Sequence, residues 1–227
     1  MPVFASDQIS TLPSITLQAT GATEDAEKAY KVSSASSATR TNTSLKETPQ
    51  AVTVVPKAVL KDIQATRLSE ALDVAGVGRA NNFGGQGLTT FTSRGFTSGE
   101  YYRNGFPINR GYPNAPDSST VERVEVLKGA SSSLYGRGDP GGTFNVVSKT
   151  PQAERKTTLG LNVDEEGLYR GTVDTTGALT EDKSLTYRLN LMGENGDTYR
   201  DNVDTKRWNI APVLQWTPSD ATKLTLE

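Results

Sequence analysis

Any chemistry in this sequence has to be done without histidine or cysteine, since it contains neither. Thiolate nucleophiles, disulfides, Cys or His metal centres and an imidazole base are excluded. Several short motifs could mimic a functional site. Arg137-Gly138-Asp139 reads as an adhesion tripeptide, but it lies inside the glycine loop Gly136 to Gly142. Phe83 to Gly87 has the glycines of a phosphate cradle, yet no Gly-Lys-Ser/Thr follows. Asp164-Glu165-Glu166 suits a charged hairpin tip better than a metal site. No separated carboxylate pair stands in a catalytic context, so neither an enzyme nor a resident cofactor is expected. A more productive grouping is Ile15-Thr16-Leu17-Gln18-Ala19, flanked by Pro13 and Gly21. It alternates like a strand within a polar tail, which suits addition to another protein's sheet edge. The same residues also suit an incidental apolar pair in a linker.

The surrounding elements set the frame. The chain has 227 residues, a formal net charge of −2, and only 34% apolar residues against 21 glycines. The mixed charge lacks the basic stripe of a nucleic-acid binder. No run of 18 apolar residues exists, so a membrane role would need β-strands. Residues 1–46 read as a flexible tail, and Ser33 to Ser44 as a low-complexity polar linker. Small residues at Val3 and Ala5 suit either the stub of an export signal or an arbitrary start. From Leu45 the texture changes. Ala51 to Val55 reads as a strand, and Pro56 opens a helix over Lys57 to Ala65 with Val59, Leu60 and Ile63 on one face. Ser69 is placed to cap a second helix carrying Leu72 and Val74, closed by Gly76. Further strands are expected at Thr89 to Arg94, Gly105 to Ile108, Val121 to Leu127 and Phe144 to Val147, with a short turn or helix at Gly129 to Tyr135.

Beyond Pro151 the alternation becomes regular. Leu159, Leu161 and Val163 alternate with polar neighbours, as do Tyr169 to Val173, Leu185 to Leu191, and, less cleanly, Trp208 to Trp216. Leu224 and Leu226 begin a fifth segment. Segments of about 10 residues, apolar on one face, are the signature of transmembrane β-strands. They also suit a meander with one wet face. Trp208 and Trp216 share a face and lie about 26 Å apart along a strand. At about 45° tilt that projects to about 19 Å, near the height of an apolar band edged by aromatic girdles.

The stretch Thr120 to Pro151, TVERVEVLKGASSSLYGRGDPGGTFNVVSKTP, resembles the plug pattern of the TonB-dependent receptors, and of their siderophore group in particular. Lys46 to Val77 (ETPQAVTVVP, a helix, LSEALDVAGV) and Thr92 to Ile108 (SRGF, then YRNGFPI) agree in the same order. The match departs at Asn104-Gly105, where the family often has Asp-Gly, and at Gly129-Ala130, where it often has Gly-Pro. Both keep the turn character.

The resemblance implies an α+β plug domain over 47–151, a mixed sheet with short helices and long loops. It implies that 152–227 form the first four to five strands of a transmembrane antiparallel β-barrel. A 22-stranded barrel would need roughly 17 more, so the chain is expected to be the front of a longer protein. The implied function is active import of ferric siderophores across the cell outer membrane of a Gram-negative bacterium. The implied partners are TonB with its inner-membrane energising complex, the ferric siderophore and outer-membrane lipid. Import of another scarce ligand such as cobalamin is the alternative; a surface adhesion β-protein is the reading from another class. Ile15, Thr16, Leu17, Gln18 and Ala19 are similar to a TonB box. Ligand contacts are implied on plug loops at Gly85, Gln86, Arg94, Tyr101, Tyr102, Asn109, Arg110 and Tyr112, because arginine donors and tyrosine faces suit oxygen-rich, partly aromatic anions. Glu122, Arg123, Glu125 and Lys128 are expected to face opposite charges on the barrel, fixing position more than adding stability; a solvated strand face is the plainer alternative.

Overall fold

The computed structural model describes residues 29–79, 90–98, 101–108, 116–136, 138, 140–165, 167–197 and 203–227. In chain order the first elements are β1 (Ser34–Ala35), β2 (Thr43–Ser44), β3 (Ala51–Pro56), α1 (Lys57–Asp62), α2 (Leu68–Val74) and β4 (Gly78–Arg79). They are followed by β5 (Phe91–Ser93), β6 (Phe96–Ser98), β7 (Tyr102–Arg103), β8 (Phe106–Pro107), a 3-10 turn (Ser118–Thr120) and β9 (Val121–Lys128). Then come α3 (Ser132–Tyr135), β10 (Gly142–Ser148), β11 (Lys156–Val163), β12 (Tyr169–Ala178), β13 (Leu185–Asp197), β14 (Asp204–Ser219) and β15 (Thr222–Leu226).

The first large sheet has the order β3-β9-β10-β7-β8. It is mixed, because β10 and β7 run parallel while the other pairs are antiparallel. Val124 and Val126 on β9 are completely buried, with Val55, Leu60, Leu72, Phe91 and Phe144 in the same apolar cluster. The helices follow this core with two adjustments. α1 ends at Asp62, so Ala58 and Leu60 are its buried residues and Ile63 is exposed at the C-cap. α2 begins one residue before the expected cap, which places Ser69 inside the helix. The Glu70 carboxylate, in the first turn, reaches back to accept the Thr66 N–H at 2.7 Å, which ties the residue before the N-cap to the start of the helix.

The larger departure is upstream. The polar stretch expected to be a linker forms the hairpin β1–β2 and packs on the first sheet, with Ala35, Ser37 and Ala38 buried. It does so without a greasy face because the surface it covers holds a buried carboxylate that serine N–H and O–H groups can satisfy, as described below.

The second large sheet is a meander, β11-β12-β13-β14-β15, antiparallel throughout. One face carries Leu159, Leu161, Tyr169, Trp208, Ile210, Leu224 and Leu226, all exposed. The other carries Arg170, Thr176, Arg188, Asn190 and Glu194, all buried against the first sheet's domain. This is the inverse of a soluble sheet, which would cover its apolar face and leave its charges in water. Trp208 lies opposite Gly193 and Trp216 opposite Leu185, so the two indoles sit at opposite ends of the apolar band. Among the described residues no helix is long and apolar enough to cross a membrane.

Candidate functional site

Among the described residues two ionic latches join the domain of the first sheet to the inner face of the meander, and Arg103 pairs besides with Glu227 just after β15. The first is built on Asp117, which precedes the 3-10 turn and accepts the Ser119 N–H at 2.9 Å through its Oδ1. That cap fixes the carboxylate so that it faces β12. Arg170 meets it with both terminal nitrogens, Nη2 to Oδ1 at 2.6 Å and Nη1 to Oδ2 at 3.1 Å. The same Nη1 donates to Glu194 Oε2 at 2.7 Å. Arg207 approaches Glu194 from β14 in a second fork, at 2.9 and 2.7 Å, and comes within 3.8 Å of Asp117. Arg67, at the start of α2, closes the ring at 3.9 Å from Glu194. Alternation aims Arg170, Glu194 and Arg207 the same way, because each occupies an inward register position on neighbouring strands.

The second latch reverses the charges. Lys149, at the end of β10, donates to Asp174 on β12 at 2.8 Å. Arg188 on β13 grips the same carboxylate at 2.8 Å through both Nε and Nη2, and donates from Nη1 to the Thr150 carbonyl. Asn190, oriented by its network, links the latches by donating to Asp174 Oδ1 and to the Ser119 carbonyl. Burial pushes the Asp117 carboxyl up, but the Arg170 guanidinium outweighs it and holds the group below the usual carboxylate range. For Lys149 burial wins: the ammonium is held down, and Asp174 offsets only part of the effect. Such pairs gain little net stability over apolar packing, but they set register and cost several kcal/mol to break from one side.

The structure redistributes the residues expected to act. Arg123 and Glu125 do not face the meander: Arg123 Nε donates to Glu125 Oε1 at 2.7 Å within their own strand. Glu125 has no exposed surface, and its other oxygen is held by the β1–β2 hairpin. Glu122 and Lys128, on the same strand, are half-buried. Of the residues that do bridge, Arg67 and Arg103 were not singled out, nor were Asp117 and Lys149. The visible signals of the last two were an aspartate opening the Asp-Ser-Ser-Thr turn and the lysine of the Ser-Lys-Thr-Pro end.

Tyr101 and Tyr102, expected as ligand groups, are both buried. They are 2% and 5% exposed and belong to the fold: Tyr101 packs in the apolar cluster, where burial pushes its phenol up to about 12, and Tyr102 stacks edge-on against Tyr135 at 4.7 Å. Arg94 is exposed at the tip of the β5–β6 turn. Arg94 and Gly95 have φ of 52° and 84°, the pair of left-handed residues that a two-residue hairpin of this twist requires. Asn104-Gly105 makes the same turn between β7 and β8. Gly85, Gln86, Asn109, Arg110 and Tyr112, and Ile15 to Ala19, lie outside the described residues.

Comparison with known proteins agrees with this architecture. The family TonB-dependent Receptor Plug Domain matches residues 44–143. The metal-pseudopaline receptor CntO of Pseudomonas aeruginosa is 47% identical over 212 residues, covering 90% of this chain and 30% of that protein. The ferrichrome outer membrane transporter/phage receptor of Escherichia coli K12 is 28% identical over 195 residues, covering 82% and 26%. The solved structure of the pyoverdine outer membrane receptor FpvA from Pseudomonas aeruginosa PAO1, bound to pyoverdine, superimposes with a TM-score of 0.78 at 28% identity, covering 89% of this chain and 30% of that one. The chain thus spans less than a third of the length of these relatives.

Proposed function

The chain belongs to the TonB-dependent receptors, and from that membership we propose that it is the front part of a Gram-negative outer-membrane receptor that imports a metal ion held by a small organic chelator, driven through TonB. The observation that carries the reading is the pairing of a polar, latched plug with a strand meander whose outer face is apolar and whose inner face is charged. An outward apolar face needs lipid, and an inward charged face needs a polar occupant. The buried ion pairs let the plug hold one register and still release without parting a large apolar surface.

Among chelates, the 47% identity to a receptor named for metal-pseudopaline favours a metallophore of that type over the ferrichrome, ferrioxamine and catecholate siderophores for which less similar relatives are named. Arg94 is proposed as a donor to the chelate's anionic oxygens, with Gly85, Gln86, Asn109, Arg110 and Tyr112 as further proposed contacts. Ile15 to Ala19 is proposed as the TonB box, ahead of a plug ending near Pro151.

The test uses the full-length receptor in an outer-membrane host deprived of its own siderophore receptors. Radioactive iron(III), nickel(II) and zinc(II) are supplied as pseudopaline complexes, with iron(III) ferrichrome as comparison. Accumulation of a pseudopaline complex is expected, with uptake abolished and surface binding kept when residues 15–20 are deleted. Undiminished uptake by the deletion variant would refute the TonB box. Accumulation of ferrichrome alone would refute the chelate class.

A further inference from the structure

Among the described residues of the plug the Glu125 carboxylate is the most completely enclosed charge, and its partners are unusual for their place in the chain. It lies at the middle of β9, the second strand of the first sheet, with no exposed surface. Oε1 is taken by Arg123. Oε2 accepts from Ser36 N at 3.0 Å, Ser36 Oγ at 3.2 Å, Ser37 N at 2.8 Å and Ser37 Oγ at 2.5 Å. Four donors from two consecutive residues, 88 and 89 positions upstream, thus close on one oxygen. Further polar contacts support the seat. Tyr135 Oη donates to the Ser37 carbonyl at 2.8 Å, and Asn145 donates to Ser37 Oγ. Arg40 donates to the Leu134 and Gly105 carbonyls and lies over the Tyr135 ring. The apolar contribution is small: Ala35 and Ala38 are the hairpin's buried apolar residues.

We infer that Glu125 is a positioning residue for mechanical coupling: by seating Ser36 and Ser37 it delivers a pull on the N-terminal arm to β9. This rests on the reading that the arm is pulled. The load path follows from the contacts. Tension entering at residue 33 reaches Ser36 within three residues and crosses to Glu125. It then runs along β9 to the Asp117 turn and passes to Arg170 of the meander. Without the carboxylate, the hairpin from Ser34 to Ser44 has little apolar surface to hold it. It would pay out as slack, roughly 37 Å fully extended, before any force reached β9. The seat is strong because charge-assisted hydrogen bonds are about twice as strong as neutral ones. It is releasable because water can replace each of them.

The experiment pulls the full-length receptor in a bilayer from its N-terminus by single-molecule force spectroscopy. The wild type is expected to give a first rupture lengthening the chain by about 3 nm, as the hairpin leaves its seat. In Glu125→Ala that step should vanish or fall to the lowest detectable force while later ruptures keep theirs. Glu125→Gln, which retains an acceptor oxygen but no charge, should restore the step at intermediate force. In parallel, a cysteine at Ala38 should be labelled by a small maleimide at least 10-fold faster in Glu125→Ala than in wild type, with a cysteine at Leu72 staying protected in both. A first step at wild-type force in Glu125→Ala overturns the inference. So does a uniform loss of all steps with Leu72 exposed, which would make Glu125 merely a support of the fold. Whether the cell pulls the arm is decided separately by deleting residues 15–20, so failure of either reading shows alone.

Discussion

Replacing Asp117 by asparagine changes one atom group and should loosen the plug from the meander more than any other isosteric change at this interface. Asp117 and Glu194 share three guanidinium groups, Arg170, Arg207 and Arg67. The cluster therefore carries one net positive charge, and the asparagine leaves two. Asp117 and Arg170 are almost completely buried, with side chains 6% and 3% exposed, so water cannot take over the screening at Arg170. Removing one partner of a buried pair costs about 3–5 kcal/mol. Arg207 and Arg67 are about 30% exposed and can relax outward, which favours the lower end, about 3 kcal/mol, or roughly 150-fold in the docking equilibrium. Arg170→Met alone should cost a similar amount, because Asp117 loses both guanidinium hydrogen bonds and keeps only Arg207 at 3.8 Å, while Arg207 continues to hold Glu194. The double variant returns the cluster to one net positive charge, so its cost should fall well short of the sum, with a coupling of about 2 kcal/mol. Urea unfolding of the plug in the full-length receptor, followed by protease sensitivity of the β9–β10 region, reads all four corners of the cycle. Additive costs, or an Asp117→Asn cost below about 0.5 kcal/mol, would refute the assignment of Asp117 as the latch.

Other consequences can be checked with the same protein. Lys149→Met should be milder, about 1–2 kcal/mol, because Arg188 continues to hold Asp174 with two hydrogen bonds; a cost as large as that of Asp117→Asn would be contrary. Gly141→Ala should lower the plug's melting temperature by several degrees, since the added Cβ would lie 2.4 Å from the Ser93 carbonyl oxygen, whereas Gly171→Ala meets nothing and should be silent in the same melt. Acid should free the β1–β2 hairpin late. Burial raises the Glu125 carboxyl, but the Ser37 and Arg123 contacts outweigh it and leave it below the ordinary 4.5. The seat is thus fully stabilising above that value and is lost only as pH falls through the lowered one. Maleimide labelling of Ala38→Cys, divided at each pH by the rate of an unstructured thiol peptide to remove the fall in thiolate, should stay low at pH 5 and rise at more acid pH, and Glu125→Gln should flatten that profile.

The meander was legible because strand alternation is local: Leu159 to Val163 and Trp208 to Trp216 state their faces without reference to any partner. The plug was legible from ordered motifs, and its helices from Pro56, Gly76 and the apolar spacing between them. Neither source could show what a buried polar group touches. Ser33 to Ser44 has the composition of a linker and would be one, were its serines not covering a carboxylate about 90 positions away. Tyr101 and Tyr102 have side chains suited to a ligand face, but the turn at Asn104-Gly105 and the parallel pairing of β7 with β10 carry them inward. Glu125 and Asp117 differ little as residue types, yet one grips the arm and the other the barrel wall. Type and spacing set which residues could pair. Only the closed structure, by removing water from a few of them, decided which had to.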